Sequence, residues 1–222
     1  MSNSWLETPS IEIRLMNDEH RDQVFELVID TFFRDEPLNR CLEFDIPEEP
    51  IEFTDWIISS SVRDQCSFVA VDRQIEKVIG VVLNQIEHRP NLDDQDCFNE
   101  TKFQSEKLRY VFNVLHSVHR NIDLFDQMKT DQLLHIAIVA IDVNYRGLRL
   151  TEKLIRSSIE RAKNDLHLVG AYAEATSSFS SRAFLKQGFQ IYDEIIYAKF
   201  DVIRLASLDG EHDRCQLVAK EL

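Results

Sequence analysis

Basic residues are in short supply: 25 Lys and Arg face 39 Asp and Glu, a formal charge of -14 over 222 residues. A field of that sign repels phosphate backbones and anionic lipid surfaces, so nucleic acid and membranes are not expected partners, and a cationic ligand is favoured. An anionic ligand needs a local site of inverted sign. The four cysteines, Cys41, Cys66, Cys97 and Cys215, form no C-x-x-C pair, which argues against a zinc ribbon or a thioredoxin-like motif; reduced thiols are expected. Five glycines and five prolines are spread thinly, and there is no linker, low-complexity tract or internal repeat, so residues 1–222 read as a single domain. No window approaches the roughly 18 apolar residues of a membrane span, and "MSNSWLETPS" lacks the basic start and apolar run of a signal peptide. A cytoplasmic protein, monomeric, is the expectation.

What is present is a core-forming pattern, with 44% hydrophobic residues. "IEIRLMN" alternates apolar and charged residues as a half-buried strand does. Asn17 and Asp18 can cap the helix that follows, with Val24, Leu27, Val28, Thr31 and Phe32 on one face and Pro37 ending or bending it. Residues 47–62 read as a second helix, 67–72 and 78–88 as an antiparallel strand pair, and 103–122 as a third helix after an acidic loop, "PNLDDQDCFNE". "LLHIAIVAIDV" is a buried strand, 150–163 a helix with one apolar stripe, and 167–175 the next strand. Strand, glycine turn, helix and strand make a βαβ unit whose strands should lie side by side and parallel. A short helix over 180–187 capped by Gly188, and strands in 189–200 and 214–222, complete an α/β or α+β sandwich with a mixed sheet.

The turn "NYRGLRLTEKL" sets Gly147 between a buried strand and a helix. The first N–H groups of a helix lack partners and carry a partial positive charge, so such a junction can cradle an anion. Arg146 and Arg149 invert the local sign of an acidic chain. A lone glycine at a strand-to-helix junction also serves simply as a turn, and neither G-x-G-x-x-G nor G-x-x-x-x-G-K-[ST] is present.

In order along the chain stand "TFFRDEPL" (31–38), "SFVAVD", "VIGVVLN", "NYRGLRLTEKLI", "EATSSFSSR" (174–182) and "KQGF" (186–189). The series resembles the GNAT N-acetyltransferase superfamily, and within it the arylalkylamine N-acyltransferase, or dopamine acetyltransferase-like, branch. The resemblance implies a mostly antiparallel sheet of about seven strands flanked by helices, with a splayed parallel pair at the cofactor site. It implies acetyl-CoA as co-substrate, no metal, and contacts to the cofactor from Ile141, Asp142, Val143, Arg146, Gly147, Leu148, Arg149, Leu150 and Thr151. Two residues depart from the R/Q-x-x-G-x-G/A turn: Asn144 replaces Arg or Gln, and Arg149 replaces Gly or Ala. Of two alternatives at 149, ordinary helical geometry, where an arginine side chain fits and can reach a phosphate, is expected over a close backbone approach, which would weaken cofactor binding.

Acetyl transfer to an amine needs a base, because an alkylamine with a pKa near ~10 is charged at neutral pH. The resemblance gives that role, through water, to Glu36, and it implicates the hydroxyls of Thr176 and Ser180 in proton handling. Those hydroxyls are equally suited to capping a helix. Burial among Phe32, Phe33 and Leu38 would raise the Glu36 pKa. Phe32, Phe33, Asp35 and Phe179 are the candidate substrate pocket. Phe184 stands where many GNAT enzymes carry a tyrosine acid, so the departing thiolate must take its proton from Ser180 or water, or leave unprotonated. His116 and His119, three apart, lack a third metal ligand and read as solvated, while His135 reads as a structural sheet residue or a proton relay. Three readings stand side by side: an arylalkylamine N-acetyltransferase acting by direct attack, a polyamine or protein-lysine acetyltransferase, and a GNAT-fold module that binds CoA or a partner without turnover.

Overall fold

The computed structural model describes residues 10–90, 103–208 and 210–222. Cys97 and nearly all of the "PNLDDQDCFNE" loop lie outside the described residues. Seven strands form one sheet: β1 (Ile11–Leu15), β2 (Phe68–Asp72), β3 (Lys77–His88), β4 (Gln132–Ile141), β5 (Gly170–Ala175), β6 (Gln190–Ile196) and β7 (Arg214–Glu221), in the order β1-β2-β3-β4-β5-β7-β6. Every neighbouring pair is antiparallel except β4 with β5.

Alternation along the central strands explains the layering. Val69, Val71, Val81 and Leu83 face one way, against Val24 and Leu27 of α1 (Arg21–Leu27) and Ile57 and Ile58 of α3 (Ile51–Asp64). Ala70 and Val82 face the other way, against Leu150, Leu154 and Ile155 of α6 (Leu150–Asn164) and Phe184 of α7 (Ser178–Lys186). A third cluster joins Leu38 of α2 (Pro37–Leu42) and Val114 of α4 (Glu106–Ser117) to Tyr172 and Leu217 under the β5-β7-β6 end.

The βαβ expectation is met, and the contact between its strands is brief. Only Leu134↔Ala171 and His135↔Tyr172 pair between β4 and β5. One residue beyond His135 the β3–β4 ladder slips: Leu83 faces Ile138 and Asn84 faces Ile136, which leaves Ala137 as a bulge. The bulge bends β4 where it parts from β5, so the two strands diverge toward their C-terminal ends.

Several local readings change. Asn17 does cap the first turn, but after α1 the backbone widens into a π turn, Val28–Phe33, whose extra residue shifts the phase. Phe33, rather than Phe32, therefore enters the core, at 2% exposure. Pro37 does more than end that helix: it opens α2 at its first position, where the missing N–H costs nothing. The second helix starts at Ile51, after Pro50, rather than at 47. A one-turn helix α5 (Leu124–Met128), capped by Asp123, escaped the apolar-period reading, and α8 (Tyr197–Phe200) replaces the end of the strand expected over 189–200. Cys41, Cys66 and Cys215 are free thiols. Among the described residues no helix is long and apolar enough to cross a membrane, and no group of metal-ligating side chains comes together.

Candidate functional site

The divergence of β4 and β5 opens a cleft of about 2030 Å³. That exceeds the roughly 300–1,000 Å³ of a typical small-molecule pocket, so there is room for two ligands end to end. One wall is the turn after β4. Asp142 accepts hydrogen bonds from the backbone and side-chain nitrogens of Asn144, each at 3.0 Å, and from Lys77 Nζ at 2.9 Å. Tyr145 donates to Asp72 at 2.8 Å. Asn144 therefore ties the turn together in place of the Arg or Gln usual in the resembled motif. Gly147 follows with φ of +83°, and a Cβ built there meets nothing within 4 Å, so glycine is required by backbone conformation, not by crowding.

Arg149 has φ 56° and ψ 30°, a left-handed conformation. The expectation of ordinary helical geometry at this position is wrong, and the reason a small residue is preferred there becomes physical: a side chain costs about 1–2 kcal/mol in this region. Arg149 is also the N-cap residue of α6, and no side chain caps the helix. The first amides of a 15-residue helix thus face the cleft without a side-chain acceptor, flanked by Arg146 and Arg149. The donor set fits a diphosphate: backbone N–H groups, a positive helix end, and guanidinium groups.

Of the expected cofactor residues, Ile141, Arg146, Gly147, Arg149, Leu150 and Thr151 line the cleft. Asp142, Val143 and Leu148 do not: the Asp142 carboxylate is spent on the turn and on Lys77, and Val143 and Leu148 are exposed. The Asp142 N–H goes to Ile79 O at 2.9 Å on the β3 side, so strand alternation turns the Ile141 N–H toward the split. Arg182 and Lys186 of α7 line the cleft too, which the sequence reading did not anticipate.

The other wall carries Glu36, with Phe32, Phe33, Asp35 and Phe179 also along the cleft. Glu36 is the N-cap of α2, its Oε2 accepting from Asn39 N at 2.8 Å. Its Oε1 accepts from Thr176 Oγ1, also at 2.8 Å, across 140 residues of sequence. Thr176 is steadied in turn by Tyr197, whose hydroxyl donates to the Thr176 carbonyl at 2.8 Å. Burial raises the Glu36 pKa; the Asn39 amide and the Thr176 hydroxyl pull it back without cancelling that rise. Phe179 is 60% exposed and packs on His212 and the Arg182 guanidinium, at the rim of the pocket rather than within it.

Ser180 reaches the cleft but is committed locally. It forms a reciprocal capping box with Ser177 at the start of α7, and its hydroxyl lies 3.0 Å from the Ser177 carbonyl. Phe184 is buried against Phe189.

A cluster that no local pattern announces lies along β5. Glu174 accepts from His135 Nε2 at 2.8 Å and from His119 Nε2 at 2.6 Å, and the His135 ring stacks on Tyr172 at 4.6 Å. Burial would raise the Glu174 pKa, but the two histidines hold its carboxyl far below the usual range; for His135, burial would lower the pKa and Glu174 outweighs it. His119 is therefore not a solvated helix residue: it lies past the end of α4 and pairs with the sheet.

No protein-family model matches the chain. Its backbone superimposes on arylalkylamine N-acetyltransferase 2 from Aedes aegypti with a TM-score of 0.84 and 28% identity, covering 96% of this chain and 99% of that one. A mosquito arylalkylamine N-acetyltransferase-like 5b aligns with a TM-score of 0.79 at 20% identity, over 96% of this chain and 100% of that one. A Drosophila melanogaster polyamine N-acetyltransferase aligns at 0.77 and 18%, with coverage of 96% and 100%. A backbone superimposed over nearly the full length of these enzymes, with a mixed sheet whose β4–β5 pair is parallel, gives the chain the GNAT fold, with insect arylalkylamine N-acetyltransferases among its structural neighbours.

Proposed function

We propose that the protein is an acetyl-CoA-dependent N-acetyltransferase for a small primary amine, an arylalkylamine such as dopamine, tyramine, serotonin or tryptamine. The observation that carries the reading is the pairing of opposites across one cleft: an uncapped, basic helix start at α6 and, facing the same space, the half-buried carboxylate of Glu36 with a raised pKa. The GNAT fold implies acetyl-CoA. When bound, acetyl-CoA supplies an acyl thioester.

The chain's residues do the rest. The amides at the start of α6 with Arg146 and Arg149 hold the diphosphate, and the Ile141 N–H is the donor for the carbonyl oxygen as it gains charge. Glu36 takes the proton of the incoming ammonium, directly or through water. A base is most useful with a pKa close to working pH, and burial shifts Glu36 that way. The freed amine attacks the thioester carbonyl, a C–N bond forms, the C–S bond breaks with its electron pair leaving on sulfur, and the nitrogen sheds its second proton to water as the amide forms. With a thiol pKa near ~8.5, the thiolate departs without an acid, which spares Ser180 the loss of its cap bond. Thr176 and Tyr197 hold Glu36 in place.

The aromatic wall of Phe32, Trp56 and Phe112 favours an amine carrying a ring. A polyamine is the second reading, favoured by the carboxylates of Asp64, Glu87 and Asp123 elsewhere along the cleft. Thiol release from acetyl-CoA over a panel of aryl amines, diamines and lysine peptides tests both. Turnover highest with aryl amines is the expected result; CoA binding without turnover on any amine would leave a binding module.

A further inference from the structure

Arg146 and Asp35 join the two walls of the cleft. Arg146 Nη2 bonds Asp35 Oδ2 at 2.5 Å across 111 residues of sequence, linking the glycine turn to the segment that carries Glu36. Among the described residues this is the only side-chain partner of either group. We propose that the pair is a latch: Arg146 exchanges Asp35 for the diphosphate, and Asp35, once released, becomes the carboxylate that receives the substrate ammonium beside Glu36. The proposal rests on the acetyltransferase reading and adds to it a specificity residue and a coupling between the two ligands.

Three features carry it. The pair is half exposed, with side chains 48% and 42% accessible, so it is weak enough to be exchanged; pairs of this kind are worth about 0.2–1 kcal/mol. A diphosphate offers the same guanidinium more acceptors and more charge. Asp35 differs from its neighbour, since both Glu36 oxygens already accept hydrogen bonds, from Thr176 and from Asn39, whereas Asp35 depends on Arg146 alone. Moving the guanidinium onto the diphosphate therefore uncovers a second negative charge one residue from the base, and it does so only once the cofactor end is filled.

The test is calorimetric titration with CoA, which cannot turn over, on the wild-type chain, Asp35→Asn, Arg146→Gln and the double variant, each checked for an intact thermal transition. Asp35→Asn should bind CoA about two- to fivefold more tightly, because a competitor for Arg146 is gone. In the Arg146→Gln background the same change should do nothing. Steady-state assays of Asp35→Asn should show a raised KM for the amine with kcat within about twofold, the mark of lost ground-state binding. Weaker CoA binding in Asp35→Asn would overturn the latch by showing that Asp35 props Arg146 toward the diphosphate. So would an equal tightening with and without Arg146, which is a field effect. Wild-type protein that binds no CoA would overturn the acetyltransferase reading itself, a failure distinct from either.

Discussion

Two helices begin on the same cleft and settle their first amides in opposite ways. At α7, Ser177 and Ser180 exchange hydrogen bonds in a closed capping box, which satisfies both of their amides within the chain. At α6 the N-cap is Arg149 in a left-handed conformation, nothing caps the helix, and Gly147 and two arginines sit beside it. One start has a side-chain cap from its own chain and the other has none. Beside the closed start Thr176, adjacent to Ser177, holds Glu36, the base of the proposed reaction. On the proposed reading, binding and proton transfer belong to different helix ends.

The largest expected effect breaks the two functions apart on the closed side. Glu36→Gln should lower kcat by about 10²–10⁴-fold, the usual contribution of a positioned base, while leaving the calorimetric affinity for CoA unchanged. The sign of the pH dependence follows from the raised pKa: the base works only when deprotonated, so wild-type kcat/KM should climb through a pKa above the ordinary carboxylate range, and the variant should lose that ascending limb. Because the raised pKa means that folding disfavours the ionised form, Glu36→Gln should also melt no lower than wild type at neutral pH. An unchanged rate would remove Glu36 from the reaction.

Next in size is the open side. Gly147→Val forces a β-branched residue to φ near +83°, and the turn must move although no atom blocks the new Cβ. CoA affinity should fall by about 10- to 100-fold, corresponding to roughly 1.4–2.7 kcal/mol of displaced contacts. Retained affinity in a titration would make this a turn and nothing more. Ser177→Ala is the smaller counterpart at the closed start: thermal melting should report a loss of about 1 kcal/mol, with CoA affinity untouched.

How far this contrast could be read from the amino acids depends on the range of each cause. Period-2 and period-3.6 patterns are local, and they located all seven strands and the helices from residues 51, 106, 150 and 178 to within a few residues. The βαβ rule added the parallel pair. The splay was expected only through resemblance, because it depends on a bulge at Ala137 that no periodicity marks. Glu36 meeting Thr176, and Glu174 meeting His119 and His135, join residues 140, 55 and 39 apart, and nothing nearby in the chain announces them. Tyr197 was hidden in what read as a strand, but β6 ends at Ile196 and Tyr197 opens the short helix α8. Arg149 misled for a different reason: side-chain identity says little about the sign of φ once a fold supplies the turn.

That last residue yields the smallest and most discriminating change. Arg149→Gly removes the left-handed penalty, about 1–2 kcal/mol, and gives back about 0.4–1 kcal/mol through the looser unfolded chain, so a net gain of ~0.8 kcal/mol is expected by thermal melting. Binding then separates two contributions at the open start. If the exposed amides do most of the gripping, the glycine variant should hold CoA within about twofold of wild type despite losing a positive charge. If the guanidinium matters as much, affinity should drop several-fold and the salt dependence of binding should flatten, because one screened charge has gone. The first outcome is expected: backbone donors are fixed by the helix, whereas the Arg149 side chain lacks an ion-pair partner among the described residues and must be ordered by the ligand.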